Sequence, residues 1–339
     1  MRTILVALAL LGFAGSADAA AYYEGKSITL LVGNNVGGGY DAYARLIARY
    51  LGNHIEGKPT VVVKNMPEGN GLAMANNLAN VAARDGYTIG LGPKQIPFEP
   101  IWGNPAAKYG MHGLSWIGTP SSYANDAYML MVRADTPYKT LADLQKPGQP
   151  AHFAAGAAGQ GDIDVQLIAR AVFKLNIELI RGYPGSSQMA MALERGEVDG
   201  LATGMSSLQT AYSSWLKENR LRFLLLFTKE QRWARLPDVP TAMETAKTPE
   251  DRALIQLLDL PFRVARPVMA PPKLPEQALH ILRQAFTETC RDPAFLADAE
   301  RLKLDISPLS GEEVEAILAT VEQIPKATVA RYKAIVEAK

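Results

Sequence analysis

The chain has 339 residues, with 35 Lys and Arg against 34 Asp and Glu, so its formal net charge at pH 7 is +1. This balanced charge produces no broad electrostatic field, which argues against general binding to nucleic acid or to an acidic membrane. Chains longer than about 300 residues usually exceed what one compact core holds. The length therefore predicts two domains.

The N-terminus combines Arg2, an apolar run over residues 4–13 and a small-residue A-D-A pattern that ends at Ala19. This order predicts a cleaved signal peptide over residues 1–20 and a periplasmic mature protein. The apolar run is shorter than the roughly 20 residues of a membrane span, and a helix retained as an anchor is the alternative. The single cysteine, Cys290, excludes an intrachain disulfide, and no cysteine follows the cleavage region as a lipid attachment point.

Apolar runs rich in β-branched residues alternate with helical periodicities along the mature chain. This alternation predicts open α/β sheets. The runs that predict strands are residues 28–32, 61–63, 88–91, 152–155 and 221–227. Helices are predicted from Tyr40 or Asp41, after Gly71, from Asp162 to Lys174, before Arg195, and over most of residues 275–339. Two pairs have the spacing of reciprocal helix caps, Thr140 with Asp143 and Ser310 with Glu313.

Two polar stretches interrupt the periodicity and mark candidate crossings between domains, residues 123–135 and 229–240. Two crossings imply that one domain is discontinuous. We therefore predict a first lobe from residues 21–122 and 236–339, and a second, inserted lobe from residues 123–235.

The most informative stretch is the glycine turn Gly37-Gly38-Gly39, between a predicted buried strand and the helix that begins at Tyr40 or Asp41. Glycines let backbone amides approach a ligand closely, and a helix N-terminus supplies unpaired N–H groups with partial positive charge. The turn therefore predicts an anion site that needs no lysine. One helix start contributes only about 0.3–1 kcal/mol, so useful affinity requires several converging groups.

Three more polar, glycine-rich turns follow predicted strands, at residues 65–71, 156–162 and 183–186. Ligands of open α/β sheets bind outside the carboxyl ends of the strands. Four such turns in two lobes therefore predict one shared cleft. Any single turn is equally explained as an ordinary connection between a strand and a helix.

Three side chains near these turns have a structural explanation beside a functional one. Asp41 is suited to stabilise its own helix dipole and to pair with Arg45 four residues later, which competes with ligand contact. Tyr123 and Tyr183 are candidates for ligand contact, with packing as the alternative.

The chain resembles the Bug family, the extracytoplasmic binding components of tripartite tricarboxylate transporters. Four ordered segments carry the resemblance: VGGGYDAYARLIARYL, VVVKNMPEGNGLAMANNLANVAARDGYTIGLG, GYPGSSQMAMALERGEVDG and LPDVPTAMETA. It covers nearly the whole mature chain and implies a type II periplasmic-binding-protein fold, a Venus flytrap of two α/β lobes joined by two crossing strands. The implied function is capture of a small carboxylate solute and its delivery to a membrane permease, by a protein that we expect to be monomeric.

In proteins of this family, backbone groups and ordered waters at the first glycine loop hold a ligand carboxylate, and loops of the second lobe meet the other end of the ligand. The ligand-binding residues predicted in the first lobe are Asn35, Val36, Gly37, Gly38, Gly39, Tyr40, Asp41, Asn70, Gly71, Lys94 and Gln95. Those predicted in the second lobe are Tyr123, Gly159, Gln160, Gly161, Asp162, Tyr183, Met205 and Ser206.

The sequence departs from the family pattern at both loops. Val36 stands where many members have proline, and Val165 stands near the position of a usual histidine. Asp162 and Asp164 place acid near the expected anion pocket, which favours a ligand with an amide, hydroxyl or amine at its distal end. Aliphatic, aromatic and amino-acid-like carboxylates all stay open as ligands.

Two rival functions fit parts of the sequence. A dinucleotide-binding enzyme requires G-x-G-x-x-G, whereas this chain has three adjacent glycines, and no G-x-S-x-G nucleophile elbow is present. The histidines His54, His112, His152 and His280 lack the spacing of a zinc site. We therefore predict no enzymatic activity, no metal and no cofactor. The second rival is a binding protein that signals to a sensor kinase instead of feeding a permease.

Overall fold

The computed structural model describes residues 22–156, 161–183 and 186–337. These residues form two β-sheets with helices packed around them. The predicted α/β class is confirmed. The predicted signal peptide, residues 1–20, lies outside the described residues.

The first sheet has six strands in the order β11-β4-β10-β3-β1-β2. They are β1 (Ser27–Val32), β2 (Thr60–Asn65), β3 (Thr88–Leu91), β4 (Ser115–Thr119), β10 (Val268–Ala270) and β11 (Leu309–Ser310). β1 pairs in parallel with β2 and β3, while β10 runs antiparallel to β3 and β4. The carboxyl ends of β1, β2 and β3 therefore lie along one edge of this sheet.

The second sheet has five strands in the order β7-β6-β8-β5-β9. They are β5 (Tyr128–Arg133), β6 (Ala151–Ala155), β7 (Ile177–Arg181), β8 (Gly200–Gly204) and β9 (Leu221–Phe227). β6 pairs in parallel with β7 and β8, and β5 runs antiparallel to β8 and β9. The three parallel strands again end along one edge.

Helices follow the strands of both sheets, and most of the C-terminal part is helical, as predicted. Those within the first 220 residues are α1 (Gly39–Leu51), α2 (Leu72–Asn80), α3 (Gly161–Phe173), α4 (Ser186–Glu194), α5 (Met205–Ala211) and α6 (Ser213–Lys217). The later ones are α7 (Ala242–Thr245), α8 (Pro249–Arg263), α9 (Glu276–Thr289), α10 (Pro293–Arg301), α11 (Gly311–Val321) and α12 (Lys326–Val336).

The two predicted capping pairs form the expected bonds but lead to different elements. Ser310 and Glu313 make a reciprocal capping box that starts α11. Thr140 and Asp143 also bond to each other reciprocally, yet only one 3-10 turn follows, Asp143–Gln145. The next residue precedes a proline, which disfavours helical backbone and ends the turn after three residues.

Helices α3, α8 and α12 pack against one another, although they are distant in sequence. Helix α12 adds polar and aromatic contacts: the Tyr332 hydroxyl donates to Asp164 Oδ2 at 3.1 Å, and its ring stacks on Trp102 with centroids 5.8 Å apart. Both α8 and α12 lie within residues 236–339, the segment that the sequence assigns to the first lobe. The exact division of the chain into lobes stays a prediction.

Candidate functional site

The first glycine turn connects β1 to α1 and leaves the start of this helix open. Gly38 is the N-cap residue, with extended backbone, and no described side chain accepts a hydrogen bond from its N–H or from those of Gly39 and Tyr40. Residues 35–39 are exposed, and Val36 retains 70% of its surface. A Cβ atom at Gly39 would meet no atom within 4 Å, so the helix start faces open space.

Asp41 holds the turn in shape. Its carboxylate accepts hydrogen bonds from Gly37 N at 2.9 Å, Arg45 Nε at 2.8 Å and Asn65 Nδ2 at 2.9 Å. The Asn65 amide also donates to Asn34 O at 2.9 Å, which ties the end of β2 to the turn. Burial opposes ionisation of Asp41, but these hydrogen bonds outweigh it and lower its pKa to about 2. Asp41 therefore forms the predicted pair with Arg45 at the start of its own helix, and its contact with ligand stays a prediction.

The second predicted turn packs directly against the first. Gly71, the N-cap residue of α2, has φ +84°, and a Cβ there would lie 2.9 Å from Gly33 O and 2.7 Å from Pro93. Only glycine fits this backbone and this close approach. Asn70 also has positive φ, 55°. The turns after β1 and β2 thus lie side by side at the edge of the first sheet.

Lys94 links the first helix to an aromatic cluster at the end of α8. Its backbone N–H donates to the Tyr40 hydroxyl at 3.3 Å, and its Nζ lies 4.6 Å from the ring centroid of Phe262. The Phe262 ring packs against Tyr123 and Tyr128, with centroids 5.3 and 4.9 Å away. The predicted site residues Lys94 and Tyr123 therefore meet at one phenylalanine, and Tyr40 is linked to Lys94 by a hydrogen bond.

Arg266 is a cationic residue of this region that the sequence did not predict. Its guanidinium carbon lies 4.1 Å from the Tyr43 ring centroid and 5.9 Å from those of Tyr40 and Tyr123. The Nε atom is buried and has no hydrogen-bond partner among the described residues. A single arginine between a helix and a strand carries no sequence signal, because only the fold brings the three rings to it.

The start of α3 carries two acidic side chains with altered pKa values. Asp162 is buried and accepts a hydrogen bond from Gly156 N at 2.7 Å; burial raises its pKa, although that bond and the charge of Lys94 oppose the rise. Burial also raises the pKa of Asp164 to about 6, against the hydrogen bond from Tyr332 and the charge of Lys94. The same lysine therefore acts on both carboxyl groups.

The start of α5 is occupied by a carboxylate from elsewhere in the chain. Gly204 is its N-cap residue. Asp126 Oδ1 accepts from Met205 N at 2.9 Å and from Ala127 N at 2.8 Å, and its Oδ2 accepts from Ser206 N at 3.4 Å. The predicted backbone donors of Met205 and Ser206 are therefore already bonded to Asp126.

The predicted residues border several cavities of the described structure. Asn70 and Gln95 line one of about 670 Å³ together with Asp164 and Arg181, Tyr123 lines another of about 550 Å³, and Met205 and Ser206 line a third of about 380 Å³. The first of these joins turns of the first sheet to α3 and β7 of the second. A single cleft shared by all four turns stays a prediction.

The third and fourth turns are only partly within the described structure. Gly161 begins α3, whereas Gly159 and Gln160 lie outside the described residues. Tyr183 N donates to Ala155 O at 3.3 Å, so the fourth turn starts beside the end of β6. In the part of the chain that the structure covers, no helix is long and apolar enough to cross a membrane, and no three acidic, histidine or cysteine side chains are placed to hold a metal ion.

Comparison with known sequences gives one family and two relatives. The profile of the tripartite tricarboxylate transporter family receptor, TctC, matches residues 44–339. A UPF0065 protein from the tcbD–tcbE intergenic region of Pseudomonas sp. strain P51 is 27% identical over 247 residues, which cover 72% of this chain and 70% of the relative. A UPF0065 protein of Bordetella bronchiseptica is 25% identical over 297 residues, which cover 87% and 82%.

Solved structures with the same fold include a TctC solute-binding protein from Polaromonas, with a TM-score of 0.68, 19% identity and coverage of 93% of this chain and 99% of that one. Rpa4515 of R. palustris with adipate has a TM-score of 0.62, 19% identity and coverage of 90% and 97%. MatC from Rhodopseudomonas palustris with bound malate has a TM-score of 0.58, 19% identity and coverage of 92% and 99%. These structures share the two-lobed α/β architecture.

Proposed function

The chain belongs to the TctC family, the receptors of tripartite tricarboxylate transporters, and we propose that it is an extracytoplasmic binding protein for a small carboxylate solute. Proteins of this family are solute-binding proteins, so the chain is not an enzyme. The solute is captured in a cleft between two α/β lobes. It is then delivered to the membrane permease of a tripartite tricarboxylate-type transporter.

The open start of α1 is the observation that carries this proposal. This helix has 13 residues, begins at the carboxyl end of a parallel strand, and has no side-chain cap. Its first N–H groups carry partial positive charge and have no partner within the helix. A ligand carboxylate at this position accepts hydrogen bonds from backbone groups that otherwise bond only to water.

The acidic groups of the second sheet support a ligand with a donor at its other end. Asp162 at α3 and Asp126 at α5 place carboxylates at the helix starts that follow β6 and β8. A second ligand carboxylate beside them is repelled, whereas a hydroxyl, amide or amine donates to them. Malate and adipate, each bound by one structural neighbour, both carry a second carboxylate and are both repelled there. Only malate offsets this repulsion with a hydroxyl that can donate to the aspartates, so we expect malate to bind more tightly than adipate.

We place the mature protein in the periplasm. The order of charge, apolar run and small residues over positions 1–20 is that of a signal peptide. Within the periplasm, ligand binding closes a hinge, because a solute that contacts both lobes binds the closed form better than the open form. The permease then recognises the closed, loaded protein.

Thermal unfolding in the presence of single carboxylates tests the function. The probes are malate, succinate, adipate, citrate, benzoate and glutamate, each added in excess to protein that was unfolded and refolded to remove bound solute. A ligand at 100 times its Kd stabilises the folded state by about 2.7 kcal/mol, which raises the melting temperature by several degrees. Methyl esters of the same acids are the control and are expected to have little effect.

The function is wrong if none of these acids stabilises the protein and mass spectrometry detects no organic acid in the protein as purified. The delivery step needs a separate measurement. Loaded protein is cross-linked to membranes of the native organism, with the Gly38→Val variant as the control that we expect to stay unloaded. Recovery of a permease supports transport, and recovery of a sensor kinase without a permease contradicts it.

A further inference from the structure

We propose that Arg266 is the charged anchor of the ligand carboxylate, an assignment that rests on the proposed function. Arg266 lies two residues before β10, where its segment is hydrogen-bonded to the segment that follows β4. Its backbone N–H donates to Thr119 Oγ1 at 3.3 Å, and Ala265 N donates to Ser121 O at 3.2 Å. Thr119 is the last residue of β4, and Ser121 lies in the segment that leads from β4 to β5. Arg266 is thus fixed at the junction of the two sheets.

Three tyrosine rings orient the guanidinium group. Its central carbon lies 4.1 Å from the Tyr43 ring centroid, and the Tyr40 and Tyr123 centroids are each 5.9 Å away. Cations are attracted to the faces of aromatic rings at these distances. Tyr43 is almost completely buried, so the shortest of these contacts is with a ring inside the core. The three tyrosine rings stabilise the positive charge of the guanidinium without occupying its hydrogen-bond donors.

The donors of this guanidinium have no acceptor in the described structure. Nε is buried and unbonded, and no carboxylate of the described residues forms an ion pair with Arg266. Asp305 is close to the same region, but its Oδ2 accepts from Ser121 at 2.7 Å and from Ser307 at 2.8 Å. Buried charges in proteins are normally paired, and arginine offers a planar fork that matches a carboxylate. A ligand carboxylate supplies the missing acceptors.

The same arginine lies beside the open helix start. Tyr40 and Tyr43 are the second and fifth residues of α1, so Arg266 packs against the first turns of the helix whose N-terminus is uncapped. Helix start and guanidinium therefore attract an anion to the same place. Tyr123, from the segment between the two sheets, has an unusual positive φ of 56° and is the third ring beside the Arg266 guanidinium. Closure of the hinge would bring both sheets to the anchored carboxylate.

The test compares Arg266→Met and Arg266→Lys with wild type, and Arg252→Met serves as the matched control because Arg252 is exposed on α8. Methionine keeps an extended apolar side chain among the tyrosines but removes the charge and all donors. Binding of malate, succinate, adipate, citrate, benzoate and glutamate is measured by calorimetry. For the best ligand, we expect binding at least about thirtyfold weaker in Arg266→Met, as for loss of a charge-assisted hydrogen-bond pair. The affinity of Arg266→Lys should lie between those of wild type and Arg266→Met, and the affinity of Arg252→Met should equal that of wild type.

The melting temperature of the ligand-free protein separates anchoring from a structural role. Arg266 is half-buried and its buried Nε has no acceptor among the described residues, which is unfavourable, so ligand-free Arg266→Met should melt at the wild-type temperature or above it. Wild-type affinity in Arg266→Met overturns the assignment, and if that variant does not fold, wild-type affinity in Arg266→Lys overturns it. A lowered melting temperature with unchanged affinity also assigns Arg266 to structure alone. If the wild-type protein binds none of the six acids and carries no organic acid as purified, the proposed function falls together with this assignment.

Discussion

The starts of α1 and α5 have the same local geometry and different partners. Their N-cap residues, Gly38 and Gly204, have φ, ψ of −83°, 173° and −82°, 154°. No described side chain bonds to the first N–H groups of α1, whereas Asp126 accepts from those of α5. An identical helix start is thus left without a side-chain cap in one sheet and is capped by an aspartate in the other. The difference comes from the carboxylate of Asp126, which lies 79 residues before Met205 in the sequence.

Filling the open helix start should have the largest effect. A Cβ at Gly38 meets only Asn35 O, at an ordinary 3.6 Å, and the extended backbone there accepts a β-branched residue. The Gly38→Val variant should therefore fold normally while its side chain occupies the carboxylate position. We expect ligand-induced stabilisation in a thermal-unfolding experiment to fall from several degrees to none.

Gly110→Val is the control for this substitution. Gly110 is exposed, and a Cβ there would meet no atom within 4 Å, so this variant adds the same side chain away from the site. It should bind ligand as wild type does. If Gly38→Val keeps the full ligand-induced shift, the open helix start is not the carboxylate site, and the contrast between the two helices has no functional meaning.

Removing the carboxylate that caps α5 should instead reduce the stability of the protein. Asp126 is 4% exposed and accepts from Met205, Ala127 and Ser206 N–H groups, so Asp126→Ala leaves buried donors without a partner. The expected loss in the free energy of unfolding is about 1–3 kcal/mol, measured with urea. Asp238→Ala, at an exposed aspartate, should change it by less than about 0.5 kcal/mol. Equal stability of the two variants would mean that water replaces Asp126 and that both helix starts are open.

Much of the fold was predictable because its signals are local. All five strands predicted from apolar runs are present, two of them with the same bounds, Thr88–Leu91 and Leu221–Phe227. The helix predicted from Tyr40 or Asp41 begins at Gly39, since a glycine turn and an apolar stripe specify both its start and its buried face. The resemblance to the Bug family is confirmed by the TctC match. Short strands such as Val268–Ala270 were not predicted, because three consecutive buried residues show no alternation of apolar and polar side chains.

The site was less predictable because its electrostatics depend on distant pairs. The sequence indicated the glycine turns, and it also suggested the Asp41–Arg45 pair, which forms at 2.8 Å. It gave no sign that Asp126 caps α5 or that three tyrosines surround Arg266, since neither relation has a spacing rule. Partners that only tertiary structure brings together decide which helix start is free. A sequence pattern therefore locates candidate turns but cannot rank them.

The acidic start of α3 should give the ligand-free protein a pH-dependent stability. A free aspartate has a pKa near 3.9, and burial raises that of Asp164 to about 6. The folded state then binds more protons than the unfolded state between these values, so the contribution of Asp164 to stability is highest below about pH 4 and falls as pH rises to about 6. Asp164→Asn keeps an acceptor for the Tyr332 hydroxyl and removes the titration.

We therefore expect the Asp164→Asn variant to be more stable than wild type at pH 7 by about 1–3 kcal/mol, and the difference to become small near pH 4. Urea unfolding at several pH values measures it. The difference between the two profiles of unfolding free energy against pH gives the contribution of Asp164 alone. It excludes that of Asp162, whose pKa is also raised. A difference that does not change with pH would show that Asp164 is already neutral, or already solvated, over the whole range.

The smallest effect is expected at Asp41, the acidic group nearest to the open helix start. Its charge is balanced by Arg45, which is half exposed, and its low pKa keeps it ionised. Asp41→Asn leaves an amide oxygen to accept from Gly37 N while releasing the positive charge of Arg45 close to the bound carboxylate. Binding of the best acid should tighten by about two- to fivefold, the scale of an exposed ion pair, in a calorimetric titration. Weaker binding would mean that the open helix start requires the Asp41 carboxylate, either to hold the turn in shape or to accept from the ligand, and the start of α1 would then, like that of α5, depend on an acidic side chain.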